Sequence, residues 1–180
     1  YFAQFGAAAG PAPGGYYSYD LGAWHIVHLN SNCSNIGGCR ASSPQGQWLQ
    51  ADLAAHPSAC ILAIHHEPLF SSKGGDSDMR DFWTPLYAAG ADVVLSGHRH
   101  NYERFAPQTP AGVVDNARGI RQFVVGTGGT SLSSFSSSTG MRCDRRGCRP
   151  ASVRPGSSKA AVPTTRRGRR SVTPSTILPP

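Results

Sequence analysis

The sequence predicts an α/β fold in which helices pack on a mainly β core. Residues 59–64 and 91–95 are continuous apolar runs without polar alternation, which indicates strands covered on both faces. A segment with the apolar spacing of a helix lies between them. Strand, helix and strand within about 40 residues form a βαβ unit, whose crossover is expected to be right-handed.

A hairpin and a helix are predicted before this unit. Two β-rich runs, Tyr16 to Leu21 and Trp24 to Asn30, are separated by Gly22-Ala23, which indicates a tight turn. Ser43-Pro44 supplies an N-cap and a proline at the first helical position. The helix that follows is expected to end at about Ala55.

The βαβ unit and a last strand complete the predicted elements. Its helix spans about Met79 to Ala89 and ends at Gly90, and a further strand is expected over Gln122 to Val125. Cys60, inside the first apolar run, is expected to be a small core residue. Ligands of open α/β sheets bind at the carboxyl ends of the strands, so these ends are where a site is expected.

The charge of the chain divides it at about residue 135. Residues 1–135 carry seven Lys and Arg against nine Asp and Glu, with all seven His and every aromatic residue. Residues 136–180 carry ten Lys and Arg against one acid, so the formal net charge of +7 belongs to the tail. So few apolar side chains cannot offset the entropy of ordering a backbone. We therefore expect a domain over 1–135 and a disordered tail over 136–180.

The basic tail has two interpretations. Arg145-Arg146 and the arginine-rich run 166–170 could contact nucleic acid or another polyanion, because arginines release counterions from phosphates. Alternatively, an Arg/Ser/Pro/Thr-rich terminus is typical of a GC-rich gene translated out of frame. A nucleic-acid partner is expected only if the tail is genuine.

The cysteines and the hydropathy bear on location. Cys33 and Cys39 flank a short Gly/Asn/Ser loop that could carry a disulfide. The alternative is a metal-binding pair, but no second pair at zinc-site spacing lies in residues 1–135. A disulfide favours an oxidising compartment, so a secreted or extracellular protein is expected. The chain has no run of 18 apolar residues, and no membrane partner is expected.

Three histidines follow the two buried strands. His66 comes after the first strand, and His98 and His100 come after the second, next to Gly97, which lets the backbone turn. Neutral imidazole is a common ligand of Zn, Fe and Mn ions. One such histidine is more often structural, but three at neighbouring strand ends predict a metal site.

Other polar residues leave alternatives open. His25 and His28 are three apart on a strand, so they face opposite sides and are interpreted as structural. His56 is expected at the surface. Glu67 either orients His66 or faces solvent, and His65 either supports a ligand or packs at the strand edge.

The sequence resembles the calcineurin-like metallophosphoesterases, and among them the purple-acid-phosphatase-like secreted bacterial members. Leu95 to Phe105 is similar to their final Gly-His-x-His block with its Tyr-Glu-Arg continuation. Ile64 to Ser72 is similar to the preceding block, in which a proline lies two residues after the ligand histidine, and this selects His66. The hairpin, the first helix and Phe123 to Gly129 are also similar, so the resemblance covers nearly all of 1–135.

The resemblance implies a fold, a mechanism and a ligand set. The fold is a four-layer α/β sandwich, of which this chain holds the C-terminal part. Two metal ions (Fe, Zn or Mn) share a bridging carboxylate, activate a water and clamp a phosphate ester for in-line attack. His66 and His98 would bind one metal and His100 the other. A supporting set would fix the loop that carries the last two ligands, and it comprises Asn101, Tyr102, Glu103 and Arg104.

Three ligand blocks of that family have no counterpart here. An Asp-x-His, a Gly-Asp and a Gly-Asn-His block are absent, and they would lie before Tyr1. The chain is therefore interpreted as a fragment of a di-metal phosphoric-ester hydrolase, of the phosphatase or phosphodiesterase type, that lacks appreciable activity alone. No catalytic acid or base is assigned. The alternative is a non-enzymatic metal-binding remnant whose basic tail binds polyanions.

Overall fold

The computed structural model describes residues 2–10, 14–57, 60–134, 141–144 and 147–150. Its helices are α1 (Phe2–Phe5), α2 (Pro44–Ala55) and α3 (Arg80–Ala88). Short 3-10 segments lie at Gly6–Ala9, Cys33–Asn35 and Ser77–Met79. The strands are β1 (Tyr17–Leu21), β2 (Trp24–His28), β3 (Cys60–Ile64), β4 (Val93–Ser96), β5 (Tyr102–Arg104), β6 (Arg121–Val125), β7 (Met141–Asp144) and β8 (Gly147–Pro150).

Six strands form one mixed sheet in the order β1-β2-β3-β4-β6-β5. The four central strands are parallel, and the antiparallel strands β1 and β5 lie at the two edges. Helix α2 connects β2 to β3, and α3 connects β3 to β4. The predicted α/β fold class is confirmed. In the described residues, β7 and β8 form a separate two-stranded sheet.

Local signals in the sequence fix where α2 begins. Ser43 is the N-cap, its side chain accepts a hydrogen bond from the Gly46 backbone N–H, and Pro44 opens the helix. Buried Gln45 then ties the helix to the end of β2, because its amide accepts from Asn30 N at 2.7 Å and donates to Asn30 O at 2.9 Å. Next to Asn30, Ser31 Oγ accepts a hydrogen bond from Glu67 N at 3.1 Å, which joins this end of the sheet to the loop that carries His66.

One face of the sheet carries the main core. Helices α2 and α3 pack their apolar side chains onto it, and the buried cluster includes Val27, Leu49, Leu53, Ile61, Ala63, Phe82, Trp83, Leu86 and Val94. Burial of this apolar surface is the dominant stabilising term.

The opposite face, here called the outer sheet face, is apolar but remains partly open in the described part of the chain. Trp24 is 39% exposed and Val125 is 50% exposed, and Ile64, Leu95 and Phe123 are half-buried. The prediction that the central strands are covered on both faces is therefore wrong for the described residues. Cys60 is exposed, which corrects its expected place in the core, because it follows the same side of β3 as Ile64.

Three strands at the C-terminal side differ from the sequence-based expectation. β5 was not predicted, since three residues carry little pattern of their own, and it forms by pairing with β6. The backbones of β7 and β8 pair as a hairpin, whereas disorder was expected there. The rest of 136–180, including Arg145-Arg146 and 166–170, lies outside the described residues, and the boundary at residue 135 stays a prediction.

A disulfide closes the loop between β2 and α2. Cys33 and Cys39 are bonded, with their Cα atoms 5.0 Å apart, which confirms the pairing interpretation of these two cysteines. Among the residues that are described, no helix has the length and apolar character that a membrane span requires.

Candidate metal centre

The loops that carry the histidines leave two adjacent parallel strands. His66 lies two residues after β3, and His98 lies two residues after β4. The backbones stay bonded beyond the strands, because His65 N donates to Leu95 O at 3.1 Å and Gly97 N donates to His66 O at 3.0 Å. The sheet therefore places the His66 and His98 side chains at one edge.

The His66 and His98 rings meet with their nitrogens facing each other. His66 Nε2 lies 3.2 Å from His98 Nδ1, and the ring planes are inclined by 87°. Two imidazole nitrogens that bind one zinc ion tetrahedrally at about 2.1 Å lie about 3.4 Å apart. The observed separation therefore fits two ligands of one ion.

Glu67 brings a carboxylate to the same point. Its Oε1 lies 2.9 Å from His98 Nδ1, and ligand atoms of His66, Glu67 and His98 all lie within 4.8 Å of one another. Sequence reasoning left Glu67 open between orienting His66 and facing solvent, and the structure directs it to His98. The sequence signal for this role was that Glu67 directly follows His66, a candidate ligand.

The turn at His98 is made by a strained residue. His98 has φ 54°, the one positive φ of a non-glycine residue in the described ranges. This left-handed conformation costs an L-residue about 1–2 kcal/mol, and such strain clusters at functional sites. Gly97 has no positive φ, and a Cβ there would lie 3.4 Å from His66 Nδ1, at the close end of ordinary van der Waals contact.

His100 lies apart from the His66–Glu67–His98 group. Its ring is exposed, and it belongs to neither cluster of metal-ligating side chains found in the described part of the chain. Its carbonyl accepts a hydrogen bond from Ser133 N at 2.6 Å, and Gly126 packs against the neighbouring Arg99 carbonyl. The structure thus brings together two of the three predicted ligands. The assignment of all three as metal ligands stays a prediction.

Buried Glu103 joins the two histidine-bearing loops. Its carboxylate accepts from Asn101 Nδ2 at 2.8 Å, from Ser72 N at 2.9 Å, from Ser72 Oγ at 2.6 Å and from Ser71 Oγ at 3.2 Å. Asn101 belongs to the loop after β4, and the serines belong to the loop after β3. Because a buried carboxylate requires such donors, this network fixes the two loops relative to each other.

Tyr102 and Arg104 lie on the other side of β5. Both are exposed, and the Arg104 guanidinium lies 5.9 Å from the centre of the Phe123 ring. Successive residues of a strand point to opposite faces, so they point away from Glu103. Of the four residues predicted to support the loop, Asn101 and Glu103 hydrogen-bond to each other, and Glu103 also bonds the serines of the other loop. Tyr102 and Arg104 lie on the opposite face of β5.

His65 is buried beside the group. Its Nδ1 lies 2.6 Å from the Glu67 carbonyl oxygen, and burial lowers its pKa to about 4, so the ring is neutral near pH 7 and donates to that carbonyl. This hydrogen bond favours the interpretation that His65 supports a neighbouring ligand residue, because it holds the Glu67 backbone. A cleft of about 600 Å³ opens next to it, lined in part by Asn30, Ser31 and His66.

Known proteins with similar sequences point to one group of enzymes. No protein-family model matches the chain. Purple acid phosphatase 21 of Arabidopsis thaliana is 36% identical over 100 residues, covering 51% of this chain and 22% of that protein. Purple acid phosphatase 22 of the same plant is 37% identical over 98 residues, covering 50% and 22%. The chain is related to the purple acid phosphatases. The predicted metallophosphoesterase relationship is thereby confirmed.

One longer sequence alignment and one solved structure add to the known proteins that the chain is similar to. An uncharacterized protein of Mycobacterium tuberculosis is 28% identical over 163 residues, covering 73% of this chain and 31% of that protein. The purple acid phosphatase PPD1 of yellow lupin seeds superposes with a TM-score of 0.58 at 24% identity, covering 71% of this chain and 26% of that one. The lupin likeness shows the fold. The chain spans about a third or less of the length of these relatives.

Proposed function

We propose that this chain supplies the last metal-ligand segments of a di-metal phosphoric-ester hydrolase. The observation that carries the proposal is the approach of His66 Nε2 to His98 Nδ1, 3.2 Å apart at the carboxyl edge of the sheet. The relationship to purple acid phosphatases adds the substrate class, a phosphate ester.

The residues present fit a metal ion. Two imidazole nitrogens and one carboxylate oxygen form a donor set suited to Zn, Fe or Mn. His66 and His98 would hold one ion and His100 would contribute to the other. When bound, such ions activate water and neutralise the charge of a phosphate ester.

The remaining residues of the site hold this arrangement in place. Glu103 fixes the loop after β4 against Ser72, so that His98 is positioned before any ligand arrives. Neutral His65 fixes the Glu67 backbone, and the Glu67 carboxylate lies against His98. In this proposal the chain binds and positions the metal ions, and no catalytic acid or base is assigned.

The open outer sheet face supports the proposal of a partial domain. An apolar sheet face that is left half-exposed requires cover, and the second sheet of the sandwich would provide it. In this proposal that sheet and the three ligand blocks without a counterpart here belong to another part of the complete enzyme. The Cys33–Cys39 disulfide favours an oxidising compartment, and we propose secretion on that ground.

Activity measurements on two lengths of the protein test this function. We expect the 180-residue chain to show no appreciable turnover of an aryl phosphate, and a protein extended upstream in the same reading frame to hydrolyse it. His98→Ala in the extended protein should abolish most of that turnover, and His56→Ala, at the C-terminal end of α2 and away from the histidine loops, should leave it nearly unchanged. Wild-type-like turnover by the 180-residue chain, or an inactive extended protein, would contradict the proposal.

A further inference from the structure

A second group of metal-ligating side chains lies at the other end of the sheet. Asp20 is on β1, His25 is at the start of β2, and Asp52 and His56 are at the C-terminal end of α2. His66 follows the end of β3, which runs parallel to β2, so the two groups are separated by the length of the strands. The metallophosphoesterase site does not involve any of these four residues.

Both imidazoles have one nitrogen fixed on the side away from Asp20. His25 Nε2 lies 2.8 Å from Asp52 Oδ2, and His56 Nδ1 lies 2.8 Å from the Asp52 carbonyl oxygen. Ser18 Oγ donates to the other carboxylate oxygen of Asp52 at 2.7 Å and so holds that group. The carbonyl acceptor at Nδ1 of His56 leaves the lone pair of that ring on Nε2. His25 Nδ1 also faces a carboxylate oxygen, so it must release a proton before it can bind an ion.

The two remaining nitrogens face the carboxylate of Asp20. His25 Nδ1 lies 2.8 Å from Asp20 Oδ1, and His56 Nε2 lies 3.9 Å from Asp20 Oδ2. Ligand atoms of the three residues lie within 4.8 Å of one another. His25 is 1% exposed, whereas the Asp20 side chain is 61% exposed, so the group is anchored in the core and open to water.

We propose that Asp20, His25 and His56 bind a divalent transition-metal ion of the zinc type, with water in the remaining position. Ligating histidines in metal sites donate their other ring N–H to a carboxylate or a backbone carbonyl, which is the arrangement that Asp52 provides to both rings. Two imidazoles and one carboxylate are ligands that zinc accepts. The site ties the β1–β2 hairpin to the end of α2.

One side chain must move for the ion to enter. The His25 and His56 rings are stacked with centroids 3.8 Å apart and planes inclined by 17°, and two ligands of one tetrahedral ion diverge more than this. His56 is the C-cap of α2 and its side chain is 32% exposed, so its ring can tilt toward Asp20 without disturbing the core. His25 stays in place.

Zinc binding by the full 180-residue chain tests the proposal. The chain carries His66→Ala, His98→Ala and His100→Ala, so that the first site does not contribute, and Zn²⁺ is measured by equilibrium dialysis at neutral pH. We expect one zinc equivalent that Asp20→Asn and His56→Gln each weaken at least tenfold. Both substitutions are at exposed or half-exposed side chains, and circular dichroism checks that the fold is retained.

A matched histidine controls for surface binding. His28 lies on the same strand as His25 but on the opposite face, and His28→Gln should leave zinc binding unchanged. Zinc should also raise the melting temperature of the starting chain and not that of the Asp20→Asn chain. Equal zinc affinity with and without Asp20→Asn and His56→Gln, or no bound zinc, would overturn the proposal and leave a hydrogen-bonded cluster.

Discussion

Glu103 accepts a hydrogen bond from Ser72 Oγ at 2.6 Å, and this contact joins the loops that follow two different strands of the sheet. Four donors in all converge on the Glu103 carboxylate, which is 1% exposed. Buried charged groups are stable only when they are bonded in this way. The relative position of His66 and His98 therefore depends on a residue that contacts neither ring.

Glu103→Gln should destabilise the domain. The amide NH₂ of glutamine would face donors in place of an acceptor oxygen, and an unmet buried partner costs about 1–3 kcal/mol. Urea unfolding measures the change. Asp78→Asn is the control, because Asp78 is exposed and a surface change stays within about 0.5 kcal/mol. Equal stability of the two variants would show that the Glu103 network does not hold the loops.

The backbone strain at His98 predicts an unusual order of stability. His98→Gly should be about 1 kcal/mol more stable than His98→Ala, because glycine adopts φ 54° without a Cβ clash. His100 has no positive φ, so His100→Gly should be no more stable than His100→Ala. Urea unfolding of the four variants gives the comparison. The same order at both positions would argue against strain at His98.

The outer sheet face should bind hydrophobic dye in the 180-residue chain. Trp24→Lys with Val125→Lys should roughly halve the fluorescence of bound anilinonaphthalene sulfonate, because contiguous exposed apolar surface is what such dyes bind. Leu132→Lys is the control, since Leu132 is 68% exposed but belongs to a loop and not to a strand of the sheet. Equal loss of fluorescence in both proteins would contradict an open sheet face.

Asp115 should give the protein an acid-sensitive component of stability. A hydrogen bond from Tyr87 Oη at 2.7 Å, together with the N–H groups of Arg118 and Ala117, holds the pKa of Asp115 below its ordinary value of 3.8. The stabilisation is present above that value and is lost as the pH falls through the lower pKa of the folded state.

The pH dependence can be isolated with one substitution. The difference in unfolding free energy between the parent chain and Asp115→Asn should be larger at pH 6 than at pH 3, in urea titrations at each pH. Asp78→Asn, at an exposed carboxylate in another segment, corrects for the loss of one negative charge. A difference that does not change with pH would show that Asp115 does not contribute to the loss of stability in acid.

The sequence predicted the elements whose causes are local. Ser43 caps α2 and Pro44 favours its first turn, so local residues determine where this helix begins. The apolar runs identify β3 and β4. β5 could not be predicted, because its three residues become a strand only by pairing with β6. A run of apolar residues also does not reveal whether the second face of a strand is covered, and this is why Cys60 was misplaced.

The candidate sites also combine features that the sequence predicts with features that depend on tertiary contacts. The positions of His66 and His98 at strand ends follow from motif and strand pattern. The approach of Glu67 to His98, and of Asp52 to His25, depends on side-chain directions and on contacts between distant segments. The positive φ of His98 depends on the loop as a whole, and sequence reasoning had assigned the turn to Gly97.

Metal binding by the histidine loops tests the central claim most directly. The measurement is equilibrium dialysis of Zn²⁺ and Mn²⁺ with the 180-residue chain carrying Asp20→Asn, which weakens the second candidate site. We expect His66→Ala and His98→Ala each to lower metal affinity at least tenfold, by the loss of a ligand, and His28→Ala to leave it unchanged. Unchanged metal binding in both the His66→Ala and the His98→Ala chains would contradict the account.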